Sequence, residues 1–146
     1  MSPKSPSLVV ATLLILGGAV FGVLGGLHAV YTLLDLRDPR RLVPVDPAVR
    51  VAMAHSPLGI SRGGTDVWRA WVGFNFSHSL GLLLFAALAI GAGARVETIS
   101  GAIMPALILI GGVYLVLALL YWFRTPAIGV AIGAGCFLAA WILSLK

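Results

Sequence analysis

Charge is scarce in this chain. Five Asp and Glu and ten Lys and Arg make up 10% of its 146 residues, where a soluble globular protein carries about a quarter. So few charges cannot cover a water-facing surface, which excludes the ordinary soluble class. Cysteine is nearly absent. Cys136 stands alone, which excludes an intrachain disulfide framework and a paired-thiol redox centre. None of the five acids, Asp35, Asp38, Asp46, Asp66 and Glu97, lies inside an apolar run. That counts against proton- or cation-coupled transport, which ordinarily keeps a carboxylate within the membrane. There is no phosphate-cradling glycine loop, no zinc-ligand spacing and no Ser-His-Asp set with an acid at depth. The residues call for no metal and no cofactor.

What the chain has in quantity is apolar sequence, 60% of its residues. A helix needs about 20 mostly apolar residues to cross hydrocarbon, and four segments meet that: 8–34, 67–94, 102–123 and 126–145. The first is much longer than the roughly 7–15 apolar residues of a signal peptide, so it reads as a retained span. Thr125 suits the N-cap of the fourth span with Pro126 at its first helical position. Thr65-Asp66 marks the start of the second. The connections "RVETIS" and "RTP" are short and force antiparallel neighbours. The expected fold is all-α: one domain over 1–146, an antiparallel four-helix transmembrane bundle. The long loop 35–66 should carry an interfacial segment, a short helix opened by Asp46-Pro47 over "AVRVAMAH", followed by a flexible return through "SPLGISRGG".

Lys and Arg set the expected orientation. Lys4, Arg95 and Lys146 fall on the side of the termini, and Arg37, Arg40, Arg41, Arg50, Arg62, Arg69 and Arg124 on the other. Seven against three places loop 35–66 in the cytoplasm and both termini outside, in a bacterial inner (cytoplasmic) membrane. The net charge of +5 then reports contact with the lipid bilayer, whose anionic surface attracts basic loops, and not nucleic acid.

Small residues recur every four positions: Gly18, Gly22 and Gly26; Gly73, Ser77 and Gly81; Gly129 and Gly133. Apolar side chains gain little by leaving lipid for protein, so helix association relies on the close backbone approach that small residues permit. These positions should serve packing within the bundle, or else a homodimer seam or a contact with a membrane partner. Cys136 lies near the Gly129/Gly133 face and reads as one more small packing residue.

The main exception to this apolarity is "WRAWVGFNFSHSLG" in the second span. Asn75 and His78, three residues apart, share a helix face. They lie about 13 and 18 Å in from Asp66 at 1.5 Å per residue. His28 sits in the same half of the first span and Tyr114 at comparable depth in the third. An unpaired amide or imidazole in hydrocarbon costs several kcal/mol, so these side chains should point inward and find one another. His28 and His78 could also be axial ligands of one haem iron, but helical rise separates their depths by about 9 Å, which disfavours it.

With the four spans and the W-V-G-F-N-F-S-H run, the chain resembles the small bacterial four-helix integral membrane proteins that carry W-x-G-F-N-x-S-H in the second span. The resemblance implies the layout and draws attention to Asn75 and His78; it implies no activity. A looser similarity to DoxX-like four-helix proteins rests on layout alone. Three readings follow. The first is a non-enzymatic accessory or small-ligand or lipid-binding module, with a polar cluster of His28, Asn75, His78 and Tyr114. The others are a haem- or redox-associated enzyme subunit and a small oligomeric transporter.

Overall fold

The computed structural model describes residues 5–98 and 102–145. Lys4 and Lys146, which enter the Lys/Arg count, and the end of the 95–100 loop lie outside them. The described chain is all-helical: α1 (Ser5–Asp35), α2 (Pro47–His55), α3 (Val67–Ala94), α4 (Ile103–Tyr121) and α5 (Arg124–Ser144). There is no strand among the described residues, only an isolated bridge between Pro57 and Asp66. α1, α3, α4 and α5 are each long and apolar enough to cross a membrane.

Local chemistry accounts for where these helices start. Asp46 caps α2 by accepting from the Ala48 amide at 2.8 Å, with Pro47 in the first turn. Asp66 accepts from the Arg69 amide at 2.8 Å and so opens α3. The start of α5 differs from expectation. Its N-cap is Phe123, without a side-chain cap, and Thr125 and Pro126 lie inside the first turn. The first-turn amides have no intrahelical partner in any case, so a proline that lacks one fits there as well as at the first position. The return after α2 is pinned, not loose: the Leu58 amide donates to Thr65 O at 3.1 Å and the Val67 amide to Ser56 O at 3.0 Å. Between them Ser61 Oγ donates to Leu58 O at 2.8 Å. Arg62 (φ 49°) and Gly63 (φ 88°) turn the chain through the left-handed region.

The chain forms two compact units, Met1–Leu24 with Leu82–Lys146, and Gly25–Gly81. The first holds the apolar core. Each of the four long helices contributes one stripe at helical spacing: Val10, Leu14 and Phe21; Leu82, Phe85, Ala86, Ala89 and Ala92; Met104, Leu107 and Ala118; Val130, Phe137 and Ala140. Phe21 is its centre, fully buried, edge-on to Phe85 at 4.9 Å and stacked on Phe137 at 5.8 Å. Tyr114 completes this aromatic group, 5.8 Å from Phe21 and 6.0 Å from Phe85. Such ring pairs contribute about 0.5–1.5 kcal/mol each beyond the area they bury.

Glycine makes room for these rings. A Cβ on Gly133 would lie 2.7 Å from Phe21 Cε2, and one on Gly17 2.6 Å from Phe137 Cε1. Gly18 meets Ile90 and the Ala86 carbonyl at 2.9 and 3.0 Å, Gly129 meets Leu24 at 3.1 Å, and Gly22 makes ordinary contact with Ala86 at 3.4 Å. Gly93, outside every four-residue repeat, lets Ala11 O come within 2.8 Å of where its Cβ would be. The expected close approach is missing at Gly26 and Gly73. Among the described residues, nothing lies within 4 Å of a Cβ at either one. Gly81 and Cys136 are half-buried.

Candidate functional site

The polar residues of the second unit converge where the end of α1 meets the start of α3. Asn75 is 4% exposed. Its Nδ2 donates to Trp71 O, one turn back, at 2.8 Å. That orients the amide so that Oδ1 faces α1, where His28 Nε2 lies 2.8 Å away. An amide oxygen can only accept, so His28 donates from Nε2. Ser79, 1% exposed, donates to Asn75 O at 2.9 Å, and Thr32 donates to His28 O at 2.8 Å. These hydroxyls bond their own helices, as helical Ser and Thr do. The His28–Asn75 bond, by contrast, links α1 to α3.

His78 stands beside this bond. Its ring meets the edge of His28 at 5.0 Å with the planes at 69°, and stacks on Phe74 at 6.1 Å. The 9 Å offset in depth expected from helical rise is therefore absent. That expectation set the end of α1 level with Asp66. Instead the chain after α1 folds back along α3, and Trp71 Nε1, five residues past Asp66, donates to Leu42 O at 2.9 Å. α3 thus extends past the end of α1. Proximity does not make the pair a haem site. Axial ligation of one iron needs the porphyrin between two rings whose nitrogens aim at its centre. Rings in edge contact, one with its Nε2 committed to Asn75, do not fit that arrangement.

Asp35 closes α1 and is 5% exposed. Oδ1 accepts from the Arg40 amide at 3.0 Å and the Arg41 amide at 3.1 Å, and Oδ2 from the Leu42 amide at 2.6 Å. The Arg41 guanidinium adds a contact at 3.3 Å. A buried carboxylate is costly unless hydrogen-bonded and paired, and this one is both. It organises the turn that brings Leu42 to Trp71.

Two spaces open here. A cavity of about 10 Å³ lies between Thr32, Asp35, Leu42, Trp68, Trp71 and Asn75. It is near the roughly 10–15 Å³ that one water needs, so the polar cluster is itself packed. A groove of about 300 Å³ lies between the end of α1 and α2, lined by Asp35, Leu36, Pro39, Arg50, Val51, Ala54, His55 and Trp68. Arg50 with Ala54 and Val51 with His55 are i,i+4 pairs, so α2 turns one face to it. His28 and His78 line neither space, while Asp35, Leu36 and Trp68 line both. Tyr114 belongs to the aromatic core of the other unit. The Trp68–Arg50–His55 groove was not legible in the sequence, because it depends on how a 32-residue loop folds back; the only hint was the capped start of α2. Comparison with protein-family models, with curated proteins and with solved structures found no match.

Proposed function

We propose that the chain is a multi-pass membrane protein whose four long helices cross the bilayer as an antiparallel bundle, and that it acts as a non-enzymatic binding module for a small amphipathic ligand. The membrane reading is supported by exposed apolar side chains on each long helix: Leu16 and Val23 on α1, Leu80 and Leu84 on α3, Leu109 and Leu119 on α4, and Ile132 on α5. A helix that is apolar on every face is a core helix or a membrane span, and these apolar faces are not covered by the chain itself. The Lys/Arg count favours loop 35–66 on the cytoplasmic side of a bacterial inner membrane.

The groove carries the binding reading. It offers an apolar wall of Leu36, Val51, Ala54 and Trp68 with polar groups of Arg50 and His55 on the same face, the mixed lining of a ligand site. The His28–Asn75 bond and the Asp35 turn then serve as its support. Asp35 is fully committed to its donors, which leaves no free carboxylate at the groove to act as an acid or base and favours binding over catalysis.

The test is retention of co-purified small molecules. Ala54→Trp fills the groove from a helix that buries none of its residues, so thermal stability should hold while the bound compounds seen by native mass spectrometry disappear. Equal retention by both proteins would refute the groove as the site.

A further inference from the structure

We infer that the groove beside α2 takes the head group of an anionic phospholipid, with the Arg50 guanidinium holding its phosphate. The inference rests on the reading of the groove as a binding site and names what binds there.

Four observations support it. First, Arg50 lines the groove, half-buried, and makes no hydrogen bond or ion pair among the described residues. The obvious internal partner is already engaged: Asp35 receives three backbone amides and the Arg41 guanidinium. The net charge offered to a ligand is therefore positive. A guanidinium presents a planar fork of donors that matches phosphate oxygens. Second, His55 Nδ1 lies 2.8 Å from Val51 O and donates to it. That leaves Nε2 as an acceptor in the neutral ring, suited to a head-group hydroxyl. Third, the remaining walls, Leu36, Val51, Ala54 and Trp68, are apolar and fit the glyceride and upper acyl chain. Fourth, α2 buries none of its residues, Val49 and Val51 on it are exposed, and so are Leu33 and Leu36 at the end of a span. A short helix lying so at a span's end is placed as an interfacial segment is, among head groups.

A diffuse attraction of the basic loop to anionic lipid is the competing account, and an isocoulombic control separates the two. Arg37→Gln removes the same charge from the same loop, but Arg37 does not line the groove.

The protein in a zwitterionic detergent is offered equal amounts of phosphatidylglycerol and phosphatidylcholine with identical acyl chains, and bound lipid is read by native mass spectrometry. The wild-type chain and Arg37→Gln should prefer phosphatidylglycerol by about tenfold, the factor that corresponds to roughly 1.4 kcal/mol. Arg50→Gln should bind both lipids about equally. Inorganic phosphate in large excess should not displace the lipid; displacement would mean a site for a free anion and would overturn the assignment. Equal loss of preference in Arg37→Gln and Arg50→Gln would overturn it in favour of diffuse attraction. If wild type binds both lipids without preference and Ala54→Trp binds neither, the anion inference fails while the groove stands as a site. If wild type retains neither lipid, the anion inference fails, and the co-purification test alone then decides whether the groove binds another amphiphile.

Discussion

His28 and Asn75, 47 residues apart in sequence, are joined by one hydrogen bond of 2.8 Å from Nε2 to Oδ1. It is a polar tie between the end of α1 and the start of α3. Breaking it from one side strands a donor. Asn75→Leu should lower unfolding free energy in detergent by about 1–3 kcal/mol. The His28→Leu/Asn75→Leu double variant should cost less than the sum of the two single changes, with a coupling of about 0.6–1.7 kcal/mol. Additive losses in that double-mutant cycle would show that the bond contributes nothing.

Gly133 is a tight steric constraint in the core, because the ring it faces is packed on both sides. Phe21 is fully buried between Phe85 and Phe137. Gly133→Ala should therefore destabilise by about 1–3 kcal/mol, as overpacking does. Gly73→Ala meets open space and should be neutral or add up to about 1 kcal/mol through helix propensity. Thermal melts of the two variants side by side test this. Equal melting temperatures would mean that Phe21 has room to yield.

Asp35 should matter to the loop more than to the core. Asp35→Ala removes the acceptor of the Arg40, Arg41 and Leu42 amides. Hydrogen bonds to a charged group contribute about 1.5–3 kcal/mol, and the local opening energy of this turn should fall by that order. Hydrogen exchange followed by mass spectrometry should show faster exchange at residues 40–42, with the core peptides 82–92 unchanged. Unchanged exchange at 40–42 would mean the turn is held by other contacts.

Sidedness can be read with single cysteines in a Cys136→Ala background. Ile60 is almost fully exposed and Glu97 is exposed, so neither site depends on packing. A membrane-impermeant thiol reagent should label Glu97→Cys in intact cells, and Ile60→Cys only after the membrane is opened. The reverse pattern would invert the orientation inferred from Lys and Arg.

The long helices were legible because long apolar runs leave little choice of secondary structure, and α3 falls on residues 67–94 as expected. The meeting of His28, Asn75 and His78 was legible for an energetic reason: polar groups in apolar helices must find partners. Depth was not, since counting from loop ends presumes level ends and α3 reaches past α1. The glycine pattern was half legible. A four-residue repeat identifies a face without saying what stands opposite, so it included Gly26 and Gly73, which meet nothing among the described residues, and missed Gly17 and Gly93, which face a ring and a backbone carbonyl. Asp35 looked like a residue at the water boundary. Its burial depends on three amides that follow it by five to seven residues, a local fold with no apolar signature.

The segment carrying α2 is fastened at both ends to the same stretch of α3: Leu42 to the Trp71 indole, and Ser56 to the Val67 amide. Mechanically α2 is thus an outrigger hung from two struts one turn apart on α3, with the Leu42 strut also tied to α1 through Asp35. A tilt of the first turn of α3 against α1 pulls on this segment at Ser56 while Asp35 holds its other end at Leu42, and so shifts Arg50 and His55 relative to Leu36 and Pro39. The width of the groove is then geared to the angle between α1 and α3; with both helices across a bilayer, as proposed, a change in its thickness that alters their tilt would also alter how tightly the groove could grip a ligand.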